Sequence, residues 1–178
     1  MDNTQKTVAV ISAILFRVRD GQIEIFLQTR FKPDRSPNYS GLIEIPAGNI
    51  DGYENVYAAL RREVKEECNL DIVKIVDDFQ GAVREPRPND QAFVFRPFIC
   101  QQALQTNNGL PWAGFVFLCQ AAGEAHLDSS EAKEPRWVSI DKLREIVFKS
   151  ANSVFPLQLP VLEYFLDNYY KLEEKLKN

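Results

Sequence analysis

Residues Gly41–Leu70, GLIEIPAGNIDGYENVYAALRREVKEECNL, join a short apolar strand to a glycine-containing turn and then to a helix. Leu42–Pro46 reads as the strand, Ala47-Gly48 as the turn and 49–54 as a loop bent at Gly52. The helix is expected over about 55–67, with Val56, Ala59, Leu60 and Val64 as its apolar stripe. Glu63, Glu66 and Glu67 fall at i, i+3 and i+4, so a helix carries them on one face. Like charges so placed destabilise an isolated helix by roughly 0.2–0.5 kcal/mol per i,i+4 pair. A sequence that accepts this cost usually has a cation to offset it. Arg62, four residues ahead of Glu66, supplies one and is spaced to pair with it. A hard divalent ion is the other candidate, since such ions take carboxylate and carbonyl oxygens. Glu63 and Glu67, one turn apart, are spaced to share it, and the Ala47-Gly48 turn lets backbone approach the same space. The bland alternative is a solvated acidic face with routine ion pairs.

Upstream, 7–17 reads as a buried strand that turns at Asp20-Gly21, a strong hairpin signal, into a return strand at about 22–30. Glu44 breaks the apolar pattern of its strand and is expected at a rim or against a ligand. Downstream, 71–84 reads as one long or bent strand, followed by a proline-rich loop at 85–90. Phe93–Cys100 and Ala113–Ala121 are expected as neighbouring strands, and 122–135 as an acidic loop holding Glu124, Asp128, Glu131 and Glu134. Arg136–Ile140 reads as extended, with Ser139 or Asp141 capping a helix of about 141–149. Pro160 to about Lys175 has helical apolar spacing, which suits core packing or a subunit contact. Asn69 suits the left-handed conformation that ends a helix.

With 178 residues, 45% apolar and 26% charged, the chain is expected as one domain, 1–178, of α/β or α+β class. The net charge of −4, with both signs interspersed, argues against a duplex nucleic acid partner, which needs a basic face. Cys68, Cys100 and Cys119 form no CxxC pattern and read as buried or incidental thiols. His126 is the single histidine, which excludes histidine-rich metal sites and reads as a loop residue. The N-terminal apolar run lacks a cleavage pattern and a membrane-length span, so a cytoplasmic location with no membrane partner is expected.

Read from Gly48, the chain has five residues, Glu54, seven residues, then Arg62-Glu63-Val64-Lys65-Glu66-Glu67 and Cys68-Asn69-Leu70. This closely resembles the Nudix hydrolase signature Gx5Ex7REUxEExGU, with U a bulky aliphatic; Asn69 alone departs, standing where the family has Gly. The resemblance implies a Nudix fold, a mixed β-sheet sandwiched between α-helices. It implies metal-dependent hydrolysis of a nucleoside diphosphate linked to another moiety, with Mg²⁺ or Mn²⁺ as cofactor. Glu63, Glu66 and Glu67 then correspond to metal ligands, with the Ala47 carbonyl beside them and Arg62 orienting the glutamates. Glu54 stays open between a structural and a metal-related role.

Three further marks resemble the ADP-ribose pyrophosphatases of that family. Glu44 in LIEIPAG matches a glutamate that contacts adenine there, Pro86 lies sixteen residues past Leu70, and Arg30 matches a substrate-reaching arginine. ADP-ribose or a related nucleotide sugar is therefore the expected small-molecule partner, cleaved to a nucleoside monophosphate and a phosphorylated product at a site including Arg30, Glu44, Gly48 and Pro86. Glu131 and Glu134 are the candidates to align or activate water, with the choice open. A (deoxy)nucleoside triphosphate pyrophosphohydrolase and a non-catalytic nucleotide-binding Nudix domain are the alternatives. The short segment before Gly48 leaves homodimerisation open.

Overall fold

The N-terminal apolar run forms β1 (Val8–Arg19), whose residues enter two different cores. Ile11, Ala13 and Leu15 pack to one side and Ile14 and Phe16 to the other. Burial on both faces explains why the strand reads as a continuous apolar run instead of an alternating one. The computed structural model describes residues 6–107, 109–127 and 131–177, so Asp128 of the acidic loop lies outside the described residues. Asp20 and Gly21, at φ 51° and 74°, turn β1 into β2 (Gln22–Arg30) with Arg19 opposite Gln22.

The chain continues through β3 (Ile43–Glu44), β4 (Ala47–Asn49), α1 (Val56–Cys68), β5 (Asp71–Ile75), β6 (Arg84–Arg87) and β7 (Asp90–Ala92). It ends with β8 (Ile99–Ala103), β9 (Trp112–Ala122), β10 (Ala132–Ser139), α2 (Ile140–Lys149) and α3 (Leu159–Lys177). Among the described residues the main sheet has eight strands in the order β10-β2-β1-β9-β5, with β3 beside β2, β4 beside β1 and β8 beside β9. The β1–β9 pair is parallel, from Val8 opposite Trp112 to Phe16 opposite Gln120, and the other pairs are antiparallel. This is the expected mixed α+β sandwich. Val56, Ala59, Leu60 and Val64 of α1 pack on Phe26, Phe117 and Cys119 on one face. α2 and α3 cover the other face through Leu143, Val147, Val161, Leu162, Phe165 and Leu166. Full burial of each larger aliphatic side chain contributes roughly 1.5–3 kcal/mol. The C-terminal helix is thus part of the core.

Four expectations shift. The strand expected over 71–84 ends at Ile75, because the chain turns at Asp77 (φ 52°). Residues 84–92 then form a separate two-stranded hairpin, with Asn89 at φ 69° in its turn. The strand expected over 93–100 begins only at Ile99, since Phe93 and Phe95 turn onto Tyr57, at ring distances of 6.3 and 6.4 Å. Pro97 cannot donate to a ladder there. The loop expected over 122–135 gives way to β10 at Ala132, with Glu134 (φ 52°) in a bulge between Lys133 and Arg136. Ile140 opens α2 instead of ending a strand, and Ser139 is the cap, accepting from Lys142 N at 3.2 Å.

Cys68 and Cys119 are buried, and burial pushes both thiols up; Cys100 is exposed. Among the described residues no helix is long and apolar enough to cross a membrane.

Candidate active site

α1 starts at Asn55, whose side chain accepts from Tyr57 N at 2.9 Å. It ends at Asn69 in the left-handed conformation (φ 56°, ψ 20°), whose N–H reaches Lys65 O at 3.0 Å. With Leu60 and Val64 in the core, the neighbouring Glu63 and Glu67 are carried toward β4. A Cβ on Gly48 would lie 1.9 Å from Cδ of Glu63, so the carboxylate occupies the space that any other residue at 48 would fill. Glycine is required here by contact, not by a turn.

Arg62 gathers the acidic face. Its Nε and Nη2 hold the two Glu54 oxygens at 2.9 and 2.8 Å, and Nη1 reaches Glu63 at 2.7 Å and Glu66 at 3.3 Å. Nη2 also donates to the Asn49 carbonyl at 3.1 Å. Donating to the Glu54 and Glu63 carboxylates holds the guanidinium well above its usual range, and the Arg62 bond holds Glu54 below the usual carboxylate range. The i,i+4 pairing with Glu66 expected from spacing is therefore the longest of the set, and the grip on Glu54 and Glu63 is closer. Glu54 also accepts from Asp51 N at 3.2 Å, fixing the loop before the helix. Glu66 itself is 61% exposed.

A second, buried cluster lies behind β4. Glu67 accepts from Gln28 Nε2 at 3.0 Å and from Ala47 N at 3.2 Å. Gln28, fully buried on β2, also bonds the Glu44 carboxyl and accepts from Cys68 Sγ at 3.5 Å. Glu44, 3% exposed, takes Arg30 Nη1 at 2.9 Å. Burial, with the charge of Glu44 adding to it, pushes the Glu67 carboxyl up to about 8. Burial also raises Glu44, against the opposing pull of Arg30. The Arg30 guanidinium lies over the Phe155 ring at 4.8 Å, and its buried Nε has no hydrogen-bond partner.

Both clusters border one cleft of about 550 Å³. Its lining includes Ala47, Gly48, Glu63 and Glu67 together with Arg30, Lys32, Arg35 and Glu131. Trp112, Tyr39 and Phe155 add aromatic surface. Glu131 pairs with Lys32 at 2.5 Å and Arg35 at 3.0 Å, and the Lys32 hydrogen bond holds its carboxyl below the usual range. Of the other residues singled out by sequence, Glu44 is buried behind the lining and bears on the cleft through Arg30 and, by way of Gln28, through Glu67. Glu134 bonds Thr29 on the outside of the sheet at 2.8 Å. Pro86 is exposed on the separate hairpin. Gln28, Lys32, Arg35, Trp112 and Gln158 were not flagged by sequence. Gln158 clamps the backbone of Ile45 with bonds of 2.8 Å to its N–H and 2.9 Å to its carbonyl, steadying β3 from the start of α3.

Among the described residues no three acidic, cysteine or histidine side chains converge closely enough to enclose a metal ion. The oxygens nevertheless fit a hard divalent cation. Pro46 O accepts from Ala13 N, and Ile50 N donates to Ala9 O. Alternation in the ladder therefore turns the backbone groups of Ala47 and Asn49 away from β1. Ala47 N indeed meets Glu67, and Asn49 O meets Arg62. The Ala47 carbonyl, Glu63 and Glu67 form an all-oxygen donor set with no histidine or thiol among them. The buried Glu67 carboxyl, raised by burial, is the kind of group that a cation stabilises by favouring its charged form.

The family model for the NUDIX domain matches residues 7–158. No curated protein matches the chain. Among solved structures, the chain is similar to a MutT protein from Methanosarcina mazei, with TM-score 0.63, 17% identity, and 96% of this chain and 99% of that one covered. It is similar to the NUDIX domain of Shewanella oneidensis NrtR complexed with ADP ribose, at TM-score 0.55 and 12% identity, covering 79% of this chain and 78% of that one. An Ap4A hydrolase from C. elegans aligns at TM-score 0.53 and 19% identity, covering 79% of this chain and 85% of that one. These identities are low enough that the likenesses speak for the fold and leave the substrate to the site.

Proposed function

The chain belongs to the NUDIX family of hydrolases, and from that premise we propose that it cleaves the diphosphate bond of ADP-ribose or a related nucleotide sugar. The family acts on nucleoside diphosphate derivatives and generally uses divalent metal ions. The products here are a nucleoside monophosphate and a phosphorylated sugar, and the metal is Mg²⁺ or Mn²⁺. One observation carries the reading: a single cleft is lined both by the carboxylates of Glu63 and Glu67 and by the cations Arg30, Lys32 and Arg35. A lining that combines carboxylates with basic side chains suits a cation and a diphosphate bound together.

Glu63, Glu67 and the Ala47 carbonyl would hold the metal, with the exposed Glu66 turning in from the edge. When bound, the metal supplies Lewis acidity and a water of lowered pKa. Arg62 holds Glu63 in place through its 2.7 Å bond and is itself held by Glu54. Arg30, steadied by Glu44 and Phe155, binds the diphosphate oxygens. Of the two candidate bases, Glu131 is preferred over Glu134, because it borders the cleft. The preference for ADP-ribose draws on Glu44 and Arg30. Pro86 adds nothing to it, lying outside the cleft. The packing of α3 into the core supports the chain as one domain.

A (deoxy)nucleoside triphosphate is the second reading, because Lys32 and Arg35 offer charge for a further phosphate. Incubation with Mg²⁺ and ADP-ribose, nucleotide sugars, dinucleoside polyphosphates and dNTPs separates the two. Turnover of ADP-ribose is expected, with kcat lowered at least about a hundredfold by Glu67→Gln, since a metal contributes several kcal/mol to transition-state stabilisation. Turnover of dNTPs without ADP-ribose would give preference to the second reading.

A further inference from the structure

We propose that Trp112 is the stacking platform for the nucleobase, an inference that rests on the hydrolase reading for the orientation of the substrate. Ser12, Val10 and Val8 succeed one another on one face of β1 and line the floor of the cleft. Ile14 and Phe16 of the same face are covered by the α2–α3 core, whereas Val8 and Val10 remain part-exposed. Ser12 stands opposite Ala47, beside the carboxylate wall, and Val8 stands opposite Trp112. Those two pairs are four residues apart on β1, about 13 Å at the rise of an extended strand. An extended nucleoside diphosphate spans a comparable length, so phosphates held near Glu63 and Glu67 bring the base to Trp112.

The indole is built for that task. A Cβ on Gly114 would lie 3.0 Å from Cζ3 of Trp112, so the ring packs closely over the bare glycine in the floor. Among the described residues no aromatic ring or cation stacks on Trp112. The other cleft aromatics are engaged: Phe155 lies under Arg30 at 4.8 Å and meets Tyr39 edge-on at 5.1 Å. The second tryptophan of the chain, Trp137, is covered by Arg17 at 4.5 Å and meets Phe26 at 5.3 Å. Stacking on an aromatic face tolerates any base, so the platform sets affinity for nucleotides as a class more than for adenine.

With two tryptophans in the chain, fluorescence reads the platform directly. ADP is expected to quench the wild-type signal and ribose 5-phosphate, which has no base, is not. In Trp112→Phe, where only Trp137 emits, the ADP quenching is expected to vanish. Trp112→Ala is expected to raise KM for the best nucleotide substrate about tenfold with kcat little changed, and Trp112→Phe to recover most of that KM. Equal quenching in the wild type and Trp112→Phe, or an unchanged KM in Trp112→Ala, overturns the platform while leaving the hydrolase reading intact. Quenching that depends on Trp112 in a protein that hydrolyses no nucleotide supports the platform and overturns the hydrolase reading instead.

Discussion

Two arginines organise the carboxylates of this cleft, and they do so in opposite ways. Arg62 is 30% exposed and lies next to four carboxylates, hydrogen-bonding Glu54 twice, Glu63 and Glu66 and standing 3.9 Å from Asp51. Arg30 is 17% exposed and holds one carboxylate, Glu44, which is 4% exposed. The first is an open web in which water shares the charge. The second is a closed pair that also bears on Glu67 through Gln28. Exposed ion pairs contribute little to stability, whereas breaking a buried pair leaves a charge with no compensation. The web is thus suited to orienting reactive groups and the pair to holding the wall of the cleft in shape.

The largest expected effect comes from breaking the closed pair. Arg30→Met should cost about 3–5 kcal/mol by urea denaturation, because Glu44 is left buried without its paired cation. Adding Glu44→Leu should restore a good part of that loss, since removing both charges avoids the uncompensated burial. Equal losses in the single and double variants would show that Arg30 contributes by packing on Phe155 and not by charge. In either variant substrate affinity should fall, as the cleft loses a cation.

Breaking the open web should separate stability from activity. Arg62→Gln should change stability by about 1 kcal/mol or less. It should lower kcat about 10–100-fold, the usual effect of losing a residue that orients a metal ligand. A denaturation midpoint moved as far as in Arg30→Met would erase the contrast between the two regions.

The two regions also differ in how far the sequence announces them. The hydrogen-bonded side chains of the web lie in a span of thirteen residues, Glu54 to Glu66, where helical spacing and a long signature make them readable in order. The closed pair draws on β2, β3 and α1, and Gln28 carries no signal of its own. Its position follows from Gln28 standing opposite Glu44, a pairing fixed only when the sheet forms. Trp112 is similar: its place opposite Val8 depends on a parallel pairing across more than a hundred residues. The misread strands failed for a related reason. Phe93–Cys100 reads as a strand in the sequence, but Phe93 and Phe95 are held by the aromatic cluster around Tyr57. Glu134 looked like a loop residue because a bulge with positive φ interrupts an otherwise extended run.

Acid and base should act on the two regions in opposite senses. Glu67 keeps its proton up to about pH 8 when folded, whereas the unfolded chain loses it near the usual carboxylate value of 4.5. Between those values the folded state binds more protons, so stability falls as pH rises. Glu44, also raised, contributes with the same sign. Glu54 and Glu131 are lowered, so their contribution is present above the usual value and is lost only in acid. The metal-free protein should therefore lose thermal stability from pH 5 to pH 8, and Glu67→Gln should flatten that slope. Saturating Mg²⁺ should flatten it as well, by favouring the charged carboxylates. A slope unchanged in Glu67→Gln would assign the effect elsewhere.

The smallest expected effect tests whether the web or the helix end carries the signature's chemistry. Asn69 occupies a left-handed position, at φ 56°, that glycine adopts with less strain. Asn69→Gly should relieve that strain but forfeit the 3.4 Å bond from Asn69 Nδ2 to the Glu124 carbonyl, and it adds freedom to the unfolded chain. These terms oppose one another, and the net change should stay within about 1 kcal/mol by thermal denaturation. The Asn69 N–H bond to Lys65 O is backbone and survives the change, so α1 keeps its end and Glu63, Glu66 and Glu67 keep their spacing. If the carboxylates are oriented by Arg62 from within the helix, kcat should be unchanged in Asn69→Gly. A several-fold change in kcat would mean that the cap sets the pitch of the last turn, and with it the direction of Glu67.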